Sequence, residues 1–147
     1  MIVFDYTDTL PDFRLPFPED ILDKWIKECF SRHGFGSVDL YYYFTGDNEI
    51  VEINQRVFNR HYPTDVISLT YPGVVQGTVS GQIYISVDTV NDNASRFDTD
   101  FTTELLRVMI HGALHIMGYD DTTDEQKAHM RALEDECLRE FRNFASL

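Results

Sequence analysis

At 147 residues, with hydrophobic residues at 43% and aromatics at 14%, the chain is long enough to bury a core within a single domain, 1–147, without disulfides or a structural metal. No run of about 18 apolar residues is present, which excludes a membrane-spanning helix. The net charge of −13 repels nucleic acid at long range, so any contact with RNA must rest on a local cationic patch or on a metal ion.

The opening residues Met1-Ile2-Val3-Phe4-Asp5-Tyr6 lack a basic segment followed by an apolar stretch, so no signal peptide is expected. A cytoplasmic location follows as the expectation, and Cys29 and Cys137 are read there as reduced packing residues. Pro16 and Pro18 precede an amphipathic helix from Glu19 to Phe30, with acids in its first turn and an end near Gly34 and Gly36. Val38 to Phe44, rich in tyrosine and aliphatic side chains, predicts a strand. Gly46-Asp47-Asn48 turns into a second helix with Ile50, Val51, Ile53, Val57 and Phe58 as its apolar positions, broken by Pro63. Asp65 to Tyr71 and Gln82 to Val87 read as strands joined by a glycine-containing loop. A short helix is expected over Asp88 to Ala94, and Asp98-Thr99-Asp100 offers caps for the next one.

That next helix is apolar on most sides: Leu105, Leu106, Val108, Met109, Ile110, Ala113, Leu114, Ile116 and Met117. Such a helix is buried against a sheet. Its polar stripe holds Glu104, Arg107, His111 and His115, all within about 40° of His111 at 100° per residue. Thr122 and Glu125 match a capping box for the last helix, which buries Met130, Leu133, Cys137, Phe141 and Phe144. The expected architecture is a single α+β domain, with a sheet of about four strands covered by helices and the candidate metal site on the central buried helix.

His111 and His115 carry the chemistry. Four residues of helix advance about 6 Å, so both imidazoles project from one face. Two neutral imidazoles so placed can share a divalent metal, and Gly118 lets the chain turn back with a third ligand, Asp120 or Asp121. Two histidines and one carboxylate leave a coordination position open, the arrangement of a catalytic site. The opposing reading is a buried polar pair followed by a solvated acidic turn. Two unpartnered imidazoles among leucine and isoleucine would each cost about 1–3 kcal/mol, and a metal satisfies both. A zinc protease is excluded by Gly112, which stands where that chemistry needs a glutamate as general base.

The run His111-Gly112-x-Leu114-His115-x-x-Gly118-Tyr119-Asp120 resembles the signature of the YbeY family, metal-dependent endoribonucleases that mature ribosomal RNA. Pro63-Thr64-Asp65-Val66-Ile67-Ser68 and Gly81-Gln82-Ile83-Tyr84-Ile85-Ser86 are similar to two of that family's strands, and Asn54 matches a helical asparagine. The resemblance implies a single-strand-specific endoribonuclease of ribosomal RNA 3′-end maturation and ribosome quality control. It implies one divalent metal, zinc, and ribosomal RNA with the small ribosomal subunit as partners; neither membrane nor DNA is expected. Where the family has a third histidine ligand this chain has Asp121, which makes the predicted metal set His111, His115 and Asp121, with Asp120 left to support the turn. The family's phosphate-binding arginine falls on Phe58, so Arg60 is the predicted catalytic substitute. Gln82 stands in place of a family aspartate. The competing function is a non-catalytic ribosome-assembly module that keeps a structural metal.

Overall fold

The computed structural model describes residues 1–71 and 77–145. Its elements are β1 (Ile2–Tyr6), α1 (Glu19–Arg32), β2 (Ser37–Thr45), α2 (Asp47–Phe58), β3 (Val66–Tyr71), β4 (Thr78–Ser86), α3 (Val87–Arg96), α4 (Phe101–Met117) and α5 (Asp124–Ala145). The four strands form a sheet in the order β1-β2-β4-β3. β2 runs parallel to both β1 and β4, while β3 is antiparallel to β4. No helix among the described residues is long and apolar enough to cross a membrane.

The predicted α+β fold is the one observed, and α4 is its central helix. Burial alternates along β2, where Val38, Leu40, Tyr42 and Phe44 face inward and Tyr41 and Tyr43 are half-buried. This period of two sends one face of the sheet into the core. The Tyr42 hydroxyl donates to the carbonyl of Met109 at 2.9 Å, satisfying a buried phenol against α4. α1 packs on α5, where the Trp25 indole nitrogen donates to the Cys137 carbonyl at 2.8 Å and its ring meets Phe141 edge-on. Truncating Trp25, fully buried, would cost about 3–5 kcal/mol.

Gly112 explains how α4 lies so near the sheet. A methyl group there would meet Ile83 Cγ2 at 2.8 Å and Ser68 Oγ at 3.1 Å. A glutamate at this position would therefore be forced into β3 and β4, and no protease-type base can be accommodated. The Ser68 hydroxyl donates to the Gly112 carbonyl at 3.2 Å and pins the same contact.

The structure differs from the sequence expectations in four places. The fourth strand is β1, formed by opening residues to which no element had been assigned, with Ile2 and Phe4 buried and Val3 and Asp5 exposed. β4 begins at Thr78, four residues before the predicted strand; half of the loop predicted before it, 72–76, lies outside the described residues. α2 ends before Pro63, because Asn59 adopts a left-handed conformation (φ 55°) and closes the helix. Of its apolar positions Ile50 is buried, Val51 and Ile53 are half-buried, and Val57 and Phe58 are exposed. The capping box of α5 sits one residue later than Thr122 and Glu125. Thr123 Oγ1 accepts from the Gln126 N–H, and Gln126 Oε1 accepts from the Thr123 N–H, each at 3.1 Å.

Candidate metal centre

α4 begins at Asp100, whose carboxylate accepts from the Thr103 N–H at 2.7 Å, as the cap reading anticipated. It ends at Gly118, which takes φ 107°, a left-handed value that favours glycine. Two bonds close the turn: Gly118 N–H to the His115 carbonyl at 3.0 Å and Tyr119 N–H to the Leu114 carbonyl at 3.1 Å. The Tyr119 hydroxyl lies 2.8 Å from His33 Nδ1, tying the turn to the end of α1.

This turn returns Asp121 to the two histidines. His111 Nε2 and His115 Nε2 are 3.1 Å apart, and the Asp121 carboxylate oxygens lie 3.3 and 3.4 Å from them. A tetrahedral site with bonds of 2.0–2.1 Å separates its ligand atoms by about 3.3–3.4 Å. The two Asp121 distances involve different oxygens, Oδ2 toward His111 and Oδ1 toward His115; one ligand atom from each side chain lies within 4.8 Å of the others, so this group among the described residues could hold one divalent ion. Asp120 is exposed on the turn.

Glu134 of α5 fixes His111. Its Oε2 lies 2.6 Å from His111 Nδ1, and its Oε1 accepts from Arg107 at 2.9 Å. The carboxylate can only accept, so Nδ1 carries the hydrogen and Nε2 keeps its lone pair for a metal. Arg107 in turn donates to Asp135 at 2.8 Å. Burial pulls the His111 pKa down, but Glu134, with Asp121 and Asp65, more than offsets this and leaves it above the ordinary imidazole value. In the imidazolium the second proton sits on Nε2, and a metal would have to displace it while Nδ1 keeps its hydrogen toward Glu134.

A cavity of about 320 Å³ opens beside the group. Its polar lining mixes Asp65, Glu104, Asp121 and Glu134 with Arg107, Lys127 and Arg131. The mouth is thus not uniformly negative, despite the overall charge. Burial raises the pKa of Asp65, and burial with the nearby Asp65 charge raises that of Glu104.

The other predicted residues lie elsewhere. Arg60 is exposed, with its guanidinium 5.6 Å from the Phe58 ring centroid, and it is not among the residues lining this cavity. Asn54 acts as a clasp: its side-chain amide donates to the Tyr62 carbonyl at 2.9 Å and holds the connection that carries Arg60. Gln82 faces away from α4, on the opposite side of β4 from Ile83, and accepts from the Tyr84 hydroxyl at 2.7 Å. Sequence reasoning missed Glu134, Asp65, Lys127 and Arg131. The available signal was a glutamate set within the apolar stripe of α5, four residues after Met130 and three before Cys137.

Fold and site together define a small α+β protein with a two-histidine, one-carboxylate group that could hold a metal ion at the end of its central helix. The family described as Endoribonuclease YbeY matches residues 13–142, and the chain belongs to that family. A relative named Endoribonuclease YbeY from Chlorobaculum tepidum is 44% identical over 127 residues, covering 85% of this chain and 90% of its own length. One of the same name from Porphyromonas gingivalis is 41% identical over 118 residues, 80% of this chain and 77% of the relative. The solution structure of TM1509 from Thermotoga maritima superimposes with a TM-score of 0.62 at 27% identity, covering 97% of this chain and 90% of that one.

Proposed function

We propose that the chain is a metal-dependent endoribonuclease for single-stranded RNA, acting in the cytoplasm in 3′-end maturation of ribosomal RNA and in ribosome quality control. Ribosomal RNA and the small ribosomal subunit are its partners in this reading, and zinc is its ion. One observation carries it: His111, His115 and Asp121 each bring a ligand atom within 4.8 Å of the others, beside an open cavity. The alternative of a non-catalytic assembly module is not favoured, because the relatives are named as endoribonucleases.

A divalent ion in this group supplies Lewis acidity toward a phosphodiester oxygen. The chain's own residues do the rest. Glu134 holds the His111 ring in one orientation and one tautomer. Arg107, bound to both Glu134 and Asp135, keeps that buried carboxylate compensated. Asp65 lines the same cavity, and burial raises its affinity for a proton; it is the carboxylate suited to accept one from an attacking water. Arg60 is assigned to a phosphate of the substrate.

The test is cleavage of single-stranded RNA by metal-loaded protein. Activity should disappear with a chelator, return with added metal, and be absent in His115→Ala. Undiminished cleavage by His115→Ala would mean that the chemistry lies elsewhere.

A further inference from the structure

Beside the metal-binding group, α5 presents Lys127 and Arg131, one helical turn apart and both exposed. Both line the cavity that contains His111 and Asp121. Arg107, the third cation there, is held by Glu134 and Asp135. By contrast, the side chains of Lys127 and Arg131 make no ion pair or hydrogen bond among the described residues, and the charge of Arg131 acts on Glu104. In a chain with 25 acidic and 12 basic side chains, two cations uncommitted beside a metal-competent group are what an incoming phosphate requires.

The space does not end there. A second cavity, of about 470 Å³, shares Glu104, Arg107 and Arg131 with the first and continues to Thr99, Thr103 and Phe97. Phe97 is 64% exposed, an unusual state for a phenylalanine in a chain with a full core. It closes α3, and the backbone around it is fixed. Its N–H bonds the Asn93 carbonyl at 2.9 Å, Asp98 takes φ 53°, and the Thr99 N–H bonds the Ala94 carbonyl at 2.9 Å. The turn is therefore held in one form while its aromatic side chain remains open to solvent.

We propose that this continuous groove is the path of the RNA strand: Lys127 and Arg131 bind phosphates next to the scissile one, and a base beyond them stacks on Phe97. Alternation of cations with an exposed ring is the chemistry of single-stranded nucleic acid binding. The inference rests on the endoribonuclease reading and adds to it the direction in which substrate leaves the metal-binding group.

The experiment is titration of a fluorescent oligouridylate with full-length, metal-loaded protein at several salt concentrations. Arg131→Ala should lower the salt slope by about 0.7, one phosphate contact on a single strand, and Arg131→Lys should retain it. Phe97→Ala should weaken binding about fivefold or more at every salt concentration without changing the slope, and Phe97→Trp should restore affinity. Metal affinity by chelator competition should be unchanged in all four variants. If Arg131→Ala and Phe97→Ala bind with wild-type affinity and slope, the strand takes another path and only the groove assignment fails. If wild-type protein neither binds nor cleaves the oligomer, the endoribonuclease reading fails, and the groove with it.

Discussion

The polar stripe of α4 and the closing turn of α2 are the two places where the sequence put chemistry, and the fold treats them differently. On α4, Arg107 and His111 are gripped by Glu134 and Asp135 from a neighbouring helix, while His115 meets Asp121 from the turn. At the end of α2, Phe58 and Arg60 are exposed and touch chiefly each other, anchored through the backbone by the Arg60 N–H on the Asn54 carbonyl. The first region is held by several partners in an arrangement that could accept a metal ion. The second carries a cation whose side chain the fold does not orient. Preorganisation is what lets a site bind an ion without first ordering its ligands.

The largest expected effect tests the constrained region. Elemental analysis of untagged wild-type protein should find near-stoichiometric metal, and His115→Ala should abolish it by removing one of the three proposed ligands. Full occupancy in that variant would break the ligand assignment. Asp121→Ala should come next, with a strong loss of metal affinity. Asp121→His should retain binding, because imidazole nitrogen serves the same position. Asp120→Ala, at an exposed turn position, should change the dissociation constant far less; the reverse order would mean that the wrong aspartate has been assigned.

Glu134→Ala sharpens the comparison one step out from the ligands. Losing the carboxylate that orients His111 should weaken metal affinity by roughly 10–100-fold, while Glu134→Gln, which still offers an acceptor to Nδ1–H, should lose less. Equal affinity in all three proteins, measured by chelator competition, would reduce Glu134 to a packing residue.

The loosely held region predicts smaller effects. Arg60→Ala should lower the salt slope of RNA binding by somewhat under one unit and slow cleavage. Phe58→Arg should raise activity if that position faces the phosphate. No change in either variant would assign the substrate's counter-charges to α5 alone.

The smallest effect concerns Glu104. Its pKa is raised, by burial first and by Asp65 second, so the native chain holds this proton more tightly than the unfolded chain does. Below the ordinary value of 4.5 both states are protonated and ionisation costs nothing. The cost grows as pH rises and is complete above the raised native value. Glu104→Gln should therefore stabilise metal-free protein slightly at neutral pH, with the advantage fading as pH falls toward 4.5. Denaturant midpoints at both pH values check this, and an advantage that grows in acid would reverse the sign.

Much of this architecture was legible because it is local. The period of α4 placed His111 and His115 on one face, Gly118 marked the turn, and Asp98-Thr99-Asp100 held the cap, since each depends on residues within one or two helical turns. The period of two in Ile2, Phe4 and Tyr6 was equally present, but a five-residue edge strand becomes a strand only by pairing with β2, and that partner is remote in sequence. The apolar pattern of α2 misled at Val57 and Phe58 for the complementary reason. Hydrophobic spacing says which side could be buried, not whether another element arrives to cover it.

The sequence alone determined a helix with two imidazoles on one face, a glycine turn and two candidate carboxylates after it, because helical periodicity and the left-handed turn are properties of contiguous residues. Only the tertiary structure decided which aspartate returns to the histidines and which acid orients the first of them. Glu134 lies 23 residues from His111, on another helix. Tertiary packing likewise brought Asp65, Lys127 and Arg131 into the cavity beside them. Those choices follow from how α5 and β3 pack around α4, an energy summed over many weak contacts between distant segments, and no local spacing encodes it.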